Sequence, residues 1–198
     1  MAKILGAFKI RITGSKKKFE EEYVILMENL TIGIDPNCKH LSKYDLKGSR
    51  LNRYVVSQDK KPMETEAGLA LELSEDEGPS VTKLDTNFLE DHNSRPICLN
   101  YSLHRLMEIA IYNDTSFLNR YGKIDYSLLV WINHKTKLVR VGIIDYIQYY
   151  TIKRQMEYVY KKHVMNANGI DPTIMNPANY RERFKLAMHT YFLSLLGD

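Results

Sequence analysis

The stretch IDYSLLVWINHKTKLVRVGIIDY, residues 124–146, decides the fold of this 198-residue chain. Residues 126–132 and 138–147 are strongly apolar and rich in β-branched or aromatic side chains, which is typical of buried strands. The polar residues 133–137 lie between these two runs and predict a hairpin loop. We therefore expect an antiparallel β-hairpin with an aspartate near the open end of each strand.

These two aspartates form the first candidate site. Asp125 precedes the first predicted strand and Asp145 lies near the end of the second, at equal distances from residue 135. Residues equidistant from a hairpin turn face each other. Opposed carboxylates repel unless a cation lies between them, and a metal ion that carries phosphates is a suitable cation. Protein kinases pair a hydroxyl-orienting aspartate with a Mg²⁺-binding one in this way; the alternative is two exposed aspartates that cap strand ends.

Further elements are predicted on both sides of this hairpin. Residues 7–13 and 23–27 predict a second hairpin, with the charged residues 16–22 as its turn. Apolar residues spaced by three and four predict a helix over residues 98–112. Residues 113–115 are expected to end that helix and to cap a short one over residues 116–120. The stripe expected to be buried in the longer helix comprises Leu99, Leu103, Leu106, Met107, Ala110 and Ile111.

The C-terminal part of the chain is predicted to be helical. Residues 151–165 indicate a basic helix, which Gly169 and Pro172 then interrupt. Asn176 followed by Pro177 is typical of a helix start, with an N-cap and a proline in the first helical position. The stripe expected to be buried in this last helix comprises Tyr180, Phe184, Ala187, Met188 and Tyr191.

Charge and composition limit the possible functions. The net charge is +4, but residues 64–91 are strongly acidic, and residues 58–80 predict an acidic loop insert. The basic residues of the C-terminal half predict either a face attracted to polyanions or an ordinary solvated surface. Cys38 and Cys98 lack a C-x-x-C spacing, which disfavours a disulfide framework or a zinc site. We expect no transmembrane segment, because no apolar run approaches about 20 residues, and no nucleic-acid partner, because no such motif is present.

Three motifs occur in a fixed order: YDLKGSR at residues 44–50, IDYSLL at 124–129 and GIIDY at 142–146. They resemble the defining motifs of the phosphatidylinositol phosphate kinase family. LDTNFLED at 84–91, residues 111–129 and PTIMNPANYRERFKLAMHTYF at 172–192 are similar to its PIKfyve type, the phosphatidylinositol 3-phosphate 5-kinases. The resemblance implies an α+β fold, the kinase-like C-terminal lobe of that family, with antiparallel strands and packed helices in one partial domain over residues 1–198.

The resemblance begins at AKILG, residues 2–6, downstream of the family's glycine-rich loop and of the strand lysine that binds ATP phosphates. No two of the ten glycines form a G-x-G pattern. We therefore expect an incomplete N-terminal lobe. Trp131 stands where the family usually has glycine, and we expect it to change packing only locally.

The resemblance also implies roles for individual residues. Asp125 is expected to position the inositol hydroxyl and accept its proton, and Asp145 to bind Mg²⁺. Lys47 is expected to neutralise phosphate, within a substrate-binding motif in which Gly48 allows close backbone approach. Arg53 is expected to hold the phosphorylated head group, because its planar fork donates bidentately. The other implied residues are Ser49 for substrate, Met27, Glu28, Asn29 and Leu30 for adenine, and Lys153 and Arg154 for an anionic bilayer.

The implied function is transfer of the ATP γ-phosphate to the 5-hydroxyl of phosphatidylinositol 3-phosphate. ATP and Mg²⁺ are the implied cofactors, and a cytoplasmic enzyme peripheral on endosomal or vacuolar membranes is the implied location. Protein partners are not indicated. Two alternatives stay open: an inactive or truncated phosphoinositide-binding regulatory module, and a type I or type II phosphatidylinositol phosphate kinase. Lys47 and Arg53 could also be ordinary surface charges, as could each base of residues 146–179.

Overall fold

A computed structural model describes residues 1–13, 19–35, 38–55, 81–151 and 175–195. The predicted acidic insert at 58–80 lies outside these residues, and so does the predicted helix 151–165 from residue 152 onward. The described residues form a mixed α/β fold. Its elements are β1 (Ile4–Thr13), β2 (Phe19–Met27), β3 (Leu41–Leu46), α1 (Asp85–Asp91), β4 (Ile97–Asn100), α2 (Tyr101–Arg120), β5 (Ser127–Asn133), β6 (Leu138–Ile144), α3 (Pro177–Tyr191) and β7 (Phe192–Leu195).

The central sheet is antiparallel, with strand order β3-β5-β6. The hairpin β5–β6 confirms the strands and the loop predicted for residues 124–146. On the core side of the sheet, Leu46 pairs with Leu128 and Tyr44 pairs with Val130, and all four side chains are fully buried or nearly so. Strand β3 therefore ends beside the beginning of β5, where Asp125 lies.

The hairpin β1–β2 confirms the second predicted hairpin, but β2 begins earlier than predicted. Residues 19–22 belong to the strand, so the prediction of a turn over 16–22 is wrong for them. Cross-strand ion pairs let charged side chains occupy this strand: Glu21 accepts from Lys9 at 2.6 Å and from Arg11 at 3.1 Å. The hairpin joins the central sheet through the Ala2 amide, which donates to the Ile143 carbonyl at 2.9 Å.

Helix α2 corrects two predictions. It begins at Tyr101, after the short strand β4, with the Asn100 side chain capping the Ser102 amide at 2.9 Å. It then continues without a break to Arg120, through the segment 113–115 that was predicted to end it. Thr115 is fully buried inside α2, and its hydroxyl donates to the Ile111 carbonyl at 2.7 Å, which satisfies its polar group within the helix.

The buried stripe of α2 also differs from the prediction. Leu103 and Leu106 are exposed, whereas Ile111, Thr115 and Leu118 are buried and Met107 is partly buried. The apolar spacing identified a helix correctly, but the side chains that pack lie further along it. Burial is decided by the elements that cover the helix, and spacing alone does not reveal them.

Helix α3 confirms its prediction closely. The Asn176 side chain accepts from the Asn179 amide at 2.8 Å, and Pro177 is the first helical residue. The predicted stripe is buried at Tyr180, Phe184, Met188 and Tyr191, with Ala187 partly buried. The chain continues directly into β7, which pairs in parallel with β4. None of the helices in the described part of the chain combines the length and apolar character needed to cross a bilayer.

Candidate active site

Two aspartates flank the β5–β6 hairpin at its open end. Asp125 lies two residues before β5, and Asp145 directly follows β6. Both adopt positive φ angles, 64° and 59°. Few residues other than glycine adopt this conformation, and such outliers cluster at functional sites. The backbone at both positions is therefore held in a conformation that the strands themselves do not require.

The strand register corrects the predicted opposition of these aspartates. Ser127 pairs with Ile144, and the antiparallel pairing continues without a bulge to Asn133 and Leu138. Continued by one step, this register places Asp145 across from Tyr126, so the two carboxylates are staggered by one residue. The prediction of direct opposition is wrong in detail, although both aspartates do lie at the same end of the hairpin.

Lys47 brings a positive charge to this end of the hairpin. It directly follows β3, whose last residue, Leu46, pairs with Leu128 of β5. This register carries the lysine to the start of β5, and its Nζ donates to Asp125 Oδ1 at 2.7 Å. The two side chains are 14% and 26% exposed, so the ion pair is partly shielded but open to a ligand. The sequence predicted both residues, and the structure brings them into contact.

The backbone after Lys47 packs tightly against α3. Gly48 has a φ of +70°, and a Cβ atom there would lie 2.6 Å from the Ala187 Cβ and 3.3 Å from the Arg183 carbonyl oxygen. The close approach that the sequence predicted at Gly48 is thus an approach to α3. Ser49 is buried, and its Oγ accepts from the Leu51 amide at 3.3 Å.

Arg53 occupies a buried position between two carboxylates. Its Nε donates to Asp85 Oδ2 at 2.9 Å, and one Nη donates to Asp45 Oδ1 at 2.6 Å. Burial alone would lower the pKa of Arg53, but the carboxylates of Asp85 and Asp45 raise it. The family resemblance implies that this arginine holds the substrate head group. In the structure its contacts are with the carboxylates that surround the Lys47 turn.

Asp85 and Asp45 are the site residues that sequence reasoning missed. Asp85, the first residue of α1, is fully buried and accepts from the backbone amides of Lys47 and Gly48. Asp45 lies in β3, within the quoted YDLKGSR motif. Asp85 is the second residue of the matched segment LDTNFLED, which is the available signal, but the acidic composition of residues 64–91 does not reveal that this carboxyl is buried.

The Asp145 carboxyl interacts electrostatically with two other carboxylates and with Lys47. Partial desolvation raises the pKa of its carboxyl, Asp45 and Asp125 raise it further, and Lys47 lowers it. Among the described residues, no cluster of three or more His, Cys, Asp or Glu side chains is arranged for a metal ion. Mg²⁺ commonly binds through one or two carboxylates, with phosphates and water completing its shell, so Asp145 fits this ion in the presence of a phosphorylated ligand.

Comparison with known proteins identifies the family. The family model described as phosphatidylinositol-4-phosphate 5-kinase matches residues 1–138 and 131–191. The chain belongs to this family. It is 34% identical over 195 residues to the 1-phosphatidylinositol 3-phosphate 5-kinase of Homo sapiens, and 31% identical over 198 residues to the corresponding FAB1 protein of Saccharomyces cerevisiae.

These matches cover 98% of this chain but only 8% of each of those two proteins. The 1-phosphatidylinositol-3-phosphate 5-kinase FAB1B of Arabidopsis thaliana is 34% identical over 196 residues, which are 98% of this chain and 10% of that protein. The chain therefore spans about a tenth of the length of the curated relatives that it matches.

The segment predicted to contact adenine, residues 27–30, lies between β2 and the central sheet. Met27 ends β2, and the Glu28 amide donates to the Lys3 carbonyl at 2.8 Å. The Asn29 side chain accepts from the Thr31 amide at 2.9 Å. Glu28 and Asn29 thus have partners within the protein, which leaves fewer groups for a nucleotide than the sequence suggested.

A cavity of about 430 Å³ adjoins this segment and β5–β6. Its lining residues are Glu28, Asn29, Leu30, Ile32, Leu129, Trp131, Arg140 and Val141. The Leu30 side chain lies over Gly142, where a Cβ atom would be 2.5 Å from the Leu30 Cδ1. Trp131, the residue that departs from the expected glycine, is buried in this wall and so adjoins the predicted nucleotide segment. Lys153 and Arg154, predicted to meet the bilayer, lie outside the described residues.

We expect Asp145→Asn to raise the melting temperature of this family member at pH 7. The folded state raises the pKa of Asp145, so ionisation of this carboxyl destabilises the fold, but the side chain is exposed and solvent screening keeps the effect small. This cost sets in above the ordinary aspartate pKa of about 4. The gain from asparagine should therefore be present at pH 7 and absent below about pH 4. Thermal melts of both proteins at pH 7 and pH 3.5 measure it, and a lower melting temperature for the variant at pH 7 would contradict the prediction.

Proposed function

We propose that this chain is the substrate-facing part of a lipid kinase, with the C-terminal lobe of a kinase-like fold. The proposed reaction transfers the γ-phosphate of ATP to the 5-hydroxyl of phosphatidylinositol 3-phosphate. The observation that carries the proposal is the Lys47–Asp125 ion pair of 2.7 Å at the open end of a hairpin that also carries Asp145. Family membership and the printed names of the relatives support the choice of lipid and hydroxyl.

In the proposed reaction, Asp125 orients the inositol hydroxyl and accepts its proton as the oxygen attacks the γ-phosphorus. The new O–P bond forms while the bond to the β-phosphate oxygen breaks, and ADP leaves with that electron pair. Lys47 lies beside Asp125 and offsets the negative charge on the transferring phosphoryl group. Together these residues supply a proton acceptor and a cation within hydrogen-bonding reach of one reacting centre.

Asp145 is proposed to hold Mg²⁺, which when bound would neutralise charge on the nucleotide phosphates. Met27, Glu28, Asn29 and Leu30 are proposed to line the adenine site, because the 430 Å³ cavity beside them combines apolar side chains with the polar groups of Glu28, Asn29 and Arg140. Lys153 and Arg154 are proposed to contact an anionic endosomal or vacuolar membrane from the cytoplasmic side. Each base near such a surface contributes on the order of 1 kcal/mol.

The test is an assay of radiolabelled ATP with phosphatidylcholine vesicles that contain phosphatidylinositol 3-phosphate. We expect label in a bisphosphate that carries phosphate at positions 3 and 5, and none with Asp145→Asn. Turnover that survives in this variant would refute the assignment of Asp145.

Two other results would favour the alternatives. Vesicle binding that depends on Lys47, without turnover, would support a phosphoinositide-binding module in place of an enzyme. A preference for vesicles with phosphatidylinositol 4-phosphate or 5-phosphate would support type I or type II activity.

A further inference from the structure

The turn that carries Lys47 is built around one buried carboxylate. Asp85 Oδ1 accepts from the Gly48 amide at 2.8 Å, the Lys47 amide at 3.2 Å and the Tyr191 hydroxyl at 3.0 Å. Asp85 Oδ2 accepts from the Lys47 amide at 3.1 Å and from Arg53 Nε at 2.9 Å. Four donor groups, from the lysine turn, Arg53 and the end of α3, thus converge on one side chain that is fully buried.

We propose that Asp85 is a positioning residue that holds Lys47 against Asp125, and that Tyr191 couples this position to the end of α3. Successive backbone amides that point at one anion form a concave anion-binding arrangement. Here the anion is the buried carboxylate of Asp85, so the protein itself holds the backbone amides of Lys47 and Gly48 in place. The side chain of Lys47 is then directed outward, where its Nζ meets Asp125.

Charge balance explains why Arg53 belongs to this arrangement. A buried carboxylate is costly unless it is paired and hydrogen-bonded. Arg53 supplies the countercharge to Asp85 and, through its Nη, also pairs with Asp45 of β3. Arg53, which the family resemblance implies for substrate binding, thus connects Asp85 of α1 to Asp45 of β3 beside the Lys47 turn. Its effect on the site is therefore exerted through these two carboxylates.

Tyr191 links the lysine turn to the C-terminal helix. Burial raises the pKa of its hydroxyl and Asp85 raises it further, so the phenol stays protonated and serves as a donor. Its ring packs against Phe88 of α1 with centroids 5.0 Å apart. One turn away on α3, Ala187 packs against Gly48. The end of α3 and the Lys47 turn therefore form one packed unit.

The experiment compares amide hydrogen exchange and lipid kinase rate in Asp85→Asn and in wild type, well below the melting temperature of both. Asparagine keeps the size of the side chain. Its amide nitrogen is a hydrogen-bond donor, however, and the four groups that contact Asp85 are donors as well, so some of these hydrogen bonds are lost. We expect exchange at the Lys47 and Gly48 amides to rise about tenfold or more. We expect kcat to fall about 100-fold, because the lysine is misplaced, while KM for ATP stays nearly constant.

Two further variants control this measurement. Tyr191→Phe removes one donor and keeps the ring, so we expect a smaller change in the same direction at the same two amides. Asp91→Asn alters another carboxylate of α1, which accepts from Tyr44 and Lys83 at 2.8 Å each, outside the Lys47 turn. This variant should leave exchange at Lys47 and Gly48 unchanged.

The rate measurement rests on the proposed function, whereas the exchange measurement does not. If the Lys47 and Gly48 amides exchange as slowly in both Asp85→Asn and Tyr191→Phe as in wild type, the positioning role is wrong, whatever the kinase activity of the variants. If Asp85→Asn does not fold, Tyr191→Phe decides alone, because it keeps the buried ion pair. An absence of turnover in wild type would count against the kinase proposal and leave the exchange result to decide this one.

Discussion

Asp125→Asn is expected to lower the rate of phosphate transfer to phosphatidylinositol 3-phosphate by about 10²–10⁴-fold. Asparagine can still accept the hydrogen bond that Lys47 Nζ donates to Oδ1, so the geometry of the 2.7 Å contact should be largely retained. It cannot take up the proton of the inositol hydroxyl. The loss should therefore appear in kcat, with lipid binding to vesicles little changed, in an assay of initial rates against lipid concentration.

Lys47→Met tests the partner in the same contact. It removes the charge that would offset the phosphoryl group, and we expect a loss of about 10²–10³-fold. Because the two residues act together, the double variant should lose much less than the product of the single losses. Asp91→Asn is the matched control and should keep the wild-type rate. An Asp125→Asn rate near wild type would exclude a proton-accepting role for Asp125.

Gly48→Ala is expected to lower the free energy of unfolding by about 2–4 kcal/mol. An alanine Cβ would stand 2.6 Å from the Ala187 Cβ of α3 and would also require a positive φ. Overpacking costs about 1–3 kcal/mol, and the left-handed conformation costs about 1 kcal/mol more. Urea unfolding measures the change directly.

Gly122→Ala is the matched control for this prediction. Gly122 has a similar φ of +61°, but nothing lies within 4 Å of the position of its Cβ. It should therefore lose only about 1 kcal/mol, the conformational part of the cost. Adding Ala187→Gly to Gly48→Ala should recover part of the lost stability, because the clashing methyl group is removed. Equal losses for the two glycine variants would show that contact with α3 is unimportant.

The local elements could be predicted from the sequence because each depends on residues close together along the chain. The β5–β6 hairpin follows from two apolar runs around a polar loop, and the start of α3 follows from Asn176 and Pro177. The order of the three motifs indicates the family without any knowledge of the fold, and the family model confirms it. Lys47 and Asp125 were predicted within the site, and the structure adds that they form an ion pair.

Other features depend on side chains that meet from distant parts of the chain. Whether α2 breaks at residues 113–115 depends on what covers Thr115, and whether Leu103 is buried depends on which elements cover that face of α2. Propensity and periodicity carry no information about such neighbours, so both predictions failed there. The same limit explains the one-residue error in opposing Asp125 to Asp145, because register is set by the paired backbones.

The sequence by itself determined the hairpin, the last helix, the family and the two aspartates that flank β5–β6. Only the tertiary structure decided that Asp85 is fully buried beneath the Lys47 turn and that Arg53 and Tyr191 converge on it. Asp85 is 38 residues from Lys47 and 106 from Tyr191. Their contacts form only when α1, β3 and α3 pack together, and an acidic residue in a sequence looks the same whether water or protein surrounds it.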